Sequence, residues 1–207
     1  MFVLGVTGSF GAGKSTVAAM LARLGAVIID ADAIVHELLL ANRKIHRDLC
    51  ALFGSQIMGE SGVDRARLGK IVFDDKLALQ KLERVIHPAL ERELRCRVRK
   101  INSGVVVLDA ALLIETGWFR LADALIVVRT RLDEQVTRAG RRTGLARQDV
   151  LKRLRRQMPL REKLKYADFV IDNSGSRSET YRQVKEMLKR IPHKGQKELE
   201  DERAKRT

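Results

Sequence analysis

Gly8-Ser9-Phe10-Gly11-Ala12-Gly13-Lys14-Ser15 has the spacing G-x-x-x-x-G-K-[ST]. It follows an apolar run, Phe2 to Val6, and precedes a helical pattern, Thr16 to Leu24. Strand, loop and helix in that order make a phosphate cradle. Gly8, Gly11 and Gly13 let main-chain N–H groups turn inward on an anion. The N-terminus of the next helix adds the positive end of its dipole. In such a cradle Lys14 reaches the β- and γ-phosphates, and the Ser15 hydroxyl ligates Mg²⁺. Ala12 and Thr16 complete the expected nucleotide-binding set.

Carboxylates stand where this chemistry needs them. Asp30-Ala31-Asp32 follows the second apolar run. In a parallel α/β sheet the carboxyl ends of the strands face the ligand crevice. A carboxylate there accepts a proton from an attacking hydroxyl or holds Mg²⁺ through water. An Asp at that position also caps helices. Two aspartates allow both roles, so capping is assigned to Asp30 and the chemistry to Asp32. Val105-Val106-Val107-Leu108 runs into Asp109, the form of an acidic motif that orients Mg²⁺ beside a phosphate loop. Two further residues keep two readings each. Glu115 is either structural or faces the acceptor. His87, before Pro88, serves either a turn or the acceptor site.

The segment from Arg129 to Lys165 holds 13 Lys and Arg against 4 Asp and Glu, a net +9 of the chain's +14. Most of such a run is a solvated helix face. One or two of its arginines act on phosphate oxygens whose charge is redistributed during transfer. Arg138 and Arg142 are spaced i, i+4 and share a face, as do Arg153 and Gln157. Spacing does not choose among them.

Five runs rich in Val, Ile and Leu must position these groups. They are Phe2–Val6, Ala26–Ile29, Val105–Leu108, Ala124–Val128 and Phe169–Ile171. Separated by helical patterns, they predict a doubly wound parallel sheet. Two gaps exceed simple crossovers. The first, from about Ile34 to Ser103, holds several helices and a loop or hairpin at Gly54–Gly62. Leu77, Leu82, Val85 and Ile86 keep helical spacing there. The spacing predicts a break at His87-Pro88, with Pro88 opening a new helix that carries Leu90, Leu94 and Val98. The second gap, Thr130 to Tyr166, is the basic segment. One insertion would hold an acceptor, and the other would close over phosphates.

The 207 residues suit one α/β domain with insertions. Aromatics at 4% predict an aliphatic core. No apolar stretch is long enough to span a bilayer, and a secretory signal is not expected. Cys50 and Cys96 match no metal spacing and fit a reduced, cytosolic protein. The overall charge invites a nucleic-acid reading. Its concentration in one segment favours a polyanionic small substrate instead. A GTP-dependent switch would carry Asn-Lys-x-Asp, which the sequence lacks. The run His193 to Thr207 reads as a frayed helix or disordered tail.

An ordered series of motifs resembles the dephospho-coenzyme A kinase family. Gly5 to Thr16 looks like its phosphate loop, and Ile29-Asp30-Ala31-Asp32 like its acidic motif. Phe53-Gly54, Asp64-Arg65, Leu68, Phe73, Leu82-Glu83 and Ile86-His87-Pro88 track its substrate-side insertion. Asp109 to Glu115 is similar to its third-strand motif. Gln135, Arg138, Arg142, Arg153, Gln157, Lys163, Ala167-Asp168 and Asn173-Ser174-Gly175 follow its lid and last strand. The likeness runs from residue 1 to about residue 190. A nucleoside monophosphate kinase shares the loop, insertion and lid, but the His-Pro and Asp-Ala-Asp motifs favour the first family.

The resemblance implies a phosphate-loop nucleotide kinase fold. A five-stranded parallel sheet flanked by helices would carry a helical substrate-binding insertion and a helical lid. The core would span 1–33, 103–129 and 166–190, the insertion 34–102, the lid 130–165 and the tail 191–207. It implies γ-phosphoryl transfer from ATP, with Mg²⁺, to the ribose 3′-hydroxyl of dephospho-coenzyme A. Asp32, Lys14 and Arg138 would be catalytic, and Arg142 would bind the nucleotide. Arg65, His87 and Leu112 would contact the acceptor, and Ser15 and Asp109 would hold the metal. A cytoplasmic protein with no membrane or nucleic-acid partner is expected, a monomer or alternatively a small oligomer. The chain departs from the family in two places. Ser9 and Phe10 replace the usual glycine and isoleucine, and Ala111 replaces a common proline.

Overall fold

A computed structural model describes residues 1–72 and 75–191. Phe73 of the insertion motif and residues 192–207 of the tail lie outside the described residues. The chain divides into two compact units, Met1–Ile29 with 98–207, and Asp30–Arg97.

The first unit is built on a parallel sheet in the order β2-β5-β1-β6-β7. Its strands are β1 (Phe2–Gly8), β2 (Val27–Asp30), β5 (Val105–Asp109), β6 (Ala124–Arg129) and β7 (Phe169–Asp172). Each predicted run is present and extends one or two residues further at its carboxyl end. Those extra residues include Gly8, Asp109 and Asp172. Leu4, Val6, Val105, Val107, Ile126 and Val128 are buried in one cluster with side chains of α1 (Lys14–Arg23) and α9 (Arg177–Leu188). Coverage on both faces explains why the runs of β1, β5 and β6 are continuously apolar rather than alternating.

Asp168 secures the entry to β7. Its carboxylate accepts from the Leu125 N–H at 2.7 Å, and its own N–H donates to the Leu125 carbonyl at 3.0 Å. The basic segment forms α6 (Leu132–Thr143), α7 (Arg147–Arg155) and the short α8 (Leu160–Leu164).

The second unit holds α2 (Ala31–Ala41), α3 (Arg43–Phe53), α4 (Arg65–Val72) and most of α5 (Lys76–Arg99). A 3₁₀ turn, Ser55–Ile57, leads into a two-stranded hairpin, β3 (Met58–Gly59) and β4 (Gly62–Val63). The Gly54–Gly62 loop or hairpin is therefore present. The break at His87-Pro88 is not. α5 runs unbroken for 24 residues with Pro88 inside it. Proline in a helix interior costs about 3 kcal/mol through a lost N–H and a clash with the preceding turn. Ala78 and Ile86 on one side of Pro88, and Ala89, Leu90 and Leu94 on the other, are buried along the same helix. That burial outweighs the local penalty. Leu77, counted in the predicted stripe, is 69% exposed, and Ala78 takes the buried position.

Among the described residues no helix is long and apolar enough to cross a membrane.

Candidate active site

The phosphate loop leaves β1 at Gly8 and enters α1 at Lys14, so Lys14 and Ser15 form the helix's first turn. Gly13 precedes it in the left-handed region at φ 89°. A Cβ there would also lie 2.0 Å from the Asn173 side-chain nitrogen, so the position admits glycine alone. The Ala12 N–H donates to the Ser9 carbonyl at 3.0 Å, closing the turn.

Two distant side chains fix the loop. The Ala12 carbonyl accepts from the Thr130 hydroxyl at 2.9 Å and from the Asn173 amide at 3.0 Å. Thr130 follows β6 and Asn173 follows β7, so the two neighbouring strand ends grip one carbonyl.

Beside the loop lies a cleft of about 430 Å³. Gly13, Ser15, Thr16, Arg138, Arg142 and Arg177 are among its lining residues. Arg138 donates to the Asn173 carbonyl at 2.5 Å and pairs with Glu134 at 2.9 Å. Cationic side chains, a helix N-terminus and a glycine-rich backbone converge there, which is the chemistry of a polyphosphate site.

Asp109 ends β5 and pairs in register with Val6 of β1, two residues before Gly8. Behind it the chain is held at Ala111. That carbonyl accepts from the Thr7 hydroxyl at 3.1 Å and from Lys163 Nζ at 2.7 Å. Lys163 is fully buried and also pairs with Glu115 at 2.8 Å. Glu115 further accepts from the Met158 N–H at 3.1 Å. Glu115 thus has a structural partner set joining the turn after β5 to the end of the basic segment. Leu112 lies on that turn, half-buried, and its carbonyl accepts from the Thr116 hydroxyl at 2.8 Å.

The remaining predicted residues belong to the second unit. Asp30 caps α2, its carboxylate accepting from the N–H groups of Asp32 and Ala33 at 2.8 and 3.2 Å. Its neighbour Asp32 is exposed in the first turn, with its side chain not used in that cap. Arg65 is exposed at the start of α4, after Asp64, which caps that helix through the Ala66 and Arg67 N–H groups. His87 is half-buried inside α5. Burial lowers its pKa, partly opposed by Glu83 one turn earlier.

Residue spacing did not disclose the loop anchors Thr130 and Asn173 or the cleft residue Arg177. The available signal was positional: Thr130 and Asn173 each stand just past a strand's carboxyl end, where ligand sites form.

The first unit defines a nucleotide-dependent phosphotransferase of the phosphate-loop class. Comparison with known proteins is more specific. The model of the dephospho-CoA kinase family matches residues 2–179. A dephospho-CoA kinase of Aquifex aeolicus is 40% identical over 190 residues, covering 91% of this chain and 96% of the relative. Among solved structures, TT1252 from Thermus thermophilus is 36% identical with a TM-score of 0.79, over 92% of this chain and 98% of its own. A dephospho-CoA kinase from Campylobacter jejuni is 28% identical with a TM-score of 0.68, over 91% and 96%. The chain belongs to the dephospho-CoA kinase family.

Proposed function

We propose that this protein transfers the γ-phosphoryl group of ATP to the ribose 3′-hydroxyl of dephospho-coenzyme A, giving coenzyme A and ADP. The observation that carries the reading is the cleft in which the phosphate loop, Arg138 and Arg142 meet.

The roles follow from charge. The loop's N–H groups and Lys14 hold the donor's β- and γ-phosphates. Arg138 and Arg142 offset charge that shifts onto the leaving oxygens. Asp32 accepts the proton of the attacking hydroxyl, so that the oxygen reaches phosphorus as a nucleophile. Arg65, His87 and Leu112 contact the acceptor. The basic segment excludes water, which would otherwise compete as acceptor.

The donor set suits Mg²⁺, which favours oxygen ligands and keeps several waters. Ser15 and Asp109 supply a hydroxyl and a carboxylate. Held by Ser15 and Asp109, the ion would supply positive charge against the donor phosphates. The reading takes the protein as cytoplasmic, with ATP and dephospho-coenzyme A as its partners.

The test is purified protein with Mg-ATP and, separately, dephospho-coenzyme A, AMP, adenosine or no acceptor. ADP release that depends on dephospho-coenzyme A alone is expected. Equal release with AMP, or none with any acceptor, overturns the reading.

A further inference from the structure

We propose that Phe10, one of the two loop residues that depart from the family pattern, is a positioning residue that sets Arg142 in the nucleotide cleft. The proposal rests on the reading that this cleft takes ATP.

The main chain of Phe10 is held by the basic segment at both of its polar groups. Its N–H donates to the Gln157 side-chain oxygen at 2.7 Å, and its carbonyl accepts from the Gln135 amide at 2.6 Å. Gly11 lies against the same helix. A Cβ on it would meet the Ala139 Cβ and the Gln135 carbonyl, each at 2.9 Å. The tip of the loop is therefore sunk into α6.

The ring then does two things. It packs against a small core of Val136, Ala139 and Val150, with Leu151 and Leu154 at its margin. It also presents its π-system to two guanidinium groups, Arg142 at 6.0 Å and Arg153 at 5.4 Å from the centroid. Like charges near one another repel, and the electron-rich ring offsets that repulsion. Arg142, which lines the cleft, is thus held near its working place before a polyanion arrives. An aliphatic side chain fills the same core but offers no such charge partner. Preorganisation of this kind lowers the cost of binding.

Three variants separate the ring's electronic contribution from its volume. All three retain the main-chain bonds to Gln135 and Gln157. Phe10→Tyr keeps the π-face, Phe10→Leu keeps most of the apolar volume, and Phe10→Ala removes both. ATP affinity is measured by calorimetry without acceptor, and KM and kcat with dephospho-coenzyme A. Phe10→Leu is expected to weaken ATP binding and raise the KM for ATP about two- to fivefold, the scale of a cation–π contact to an exposed guanidinium. Its melting temperature should stay near wild type. Phe10→Tyr should restore wild-type ATP affinity. Phe10→Leu with wild-type ATP affinity and KM overturns the proposal, even if Phe10→Ala fails to fold. Acceptor dependence in the wild-type protein tests the reaction itself, so the two readings fail separately.

Discussion

Asn173 donates its side-chain amide to the Ala12 carbonyl at 3.0 Å, across 161 residues of chain. Its side-chain oxygen accepts from the Thr180 hydroxyl at 3.1 Å, its carbonyl accepts from Arg138, and its own N–H donates to the Arg129 carbonyl at 2.8 Å. One buried residue joins the phosphate loop, β6, α6 and α9. Asn173→Ala should cost roughly 1–3 kcal/mol of stability, the penalty of buried groups left unsatisfied. ATP affinity should fall with it, because the loop loses one of two anchors. Asn173→Asp should be worse for ATP, since an acceptor would then face the Ala12 carbonyl and negative charge would face the phosphates. Calorimetric titration of both variants tests the order.

Asp32→Asn removes the proposed proton acceptor while keeping the side chain's size. kcat should fall by roughly 10²–10⁴-fold, the usual contribution of general base catalysis, with ATP binding retained. Turnover near that of wild type would take Asp32 out of this role. Asp30→Ala should behave differently. Loss of the α2 cap should cost about 1 kcal/mol, visible as a shift in the urea midpoint.

Lys163 and Glu115 should give the largest stability effect of any ion pair described. Lys163 is fully buried and Glu115 is largely covered, at 0% and 21% side-chain exposure. Removing one partner strands the other, at roughly 3 kcal/mol. Glu115→Leu, which strands the buried Lys163 ammonium, should therefore unfold at much lower urea. Lys44→Met, which removes an exposed pair with Asp48, should move the midpoint little.

His87 predicts a pH dependence of stability. Its folded-state pKa lies below the usual 6.5 because burial disfavours the imidazolium. The unfolded chain takes up the proton near pH 6.5, whereas the folded chain does so only at lower pH. Below about 6.5 the unfolded state binds more protons, so stability declines as pH falls toward the folded value. Above 6.5 the residue contributes no slope. His87→Gln should flatten this part of the curve in melts taken from pH 5 to pH 7.5.

The three central strands, β1, β5 and β6, were legible because burial on both faces demands uninterrupted Val, Ile and Leu. The cradle was legible because Gly13 must adopt a positive φ and Lys14 must follow it. Pro88 was misread because local propensity weighed against a helix that burial on both sides of it sustains. Asn173, Gln135 and Gln157 could be quoted as motif letters, but their work could not be read. Each bonds to a main-chain group on the loop, more than a hundred residues away. A side chain that recognises a peptide group leaves no complementary residue type in the sequence.

Gln135 and Gln157 bond to the peptide groups of residue 10, not to its ring. Tether and wedge are consequently separate attributes of one residue. Every side chain except proline's keeps the N–H that Gln157 requires, and proline has none to give. The loop tip can therefore exchange its side chain while staying fastened, a built-in tolerance that lets this position drift and be retuned without unmaking the cradle.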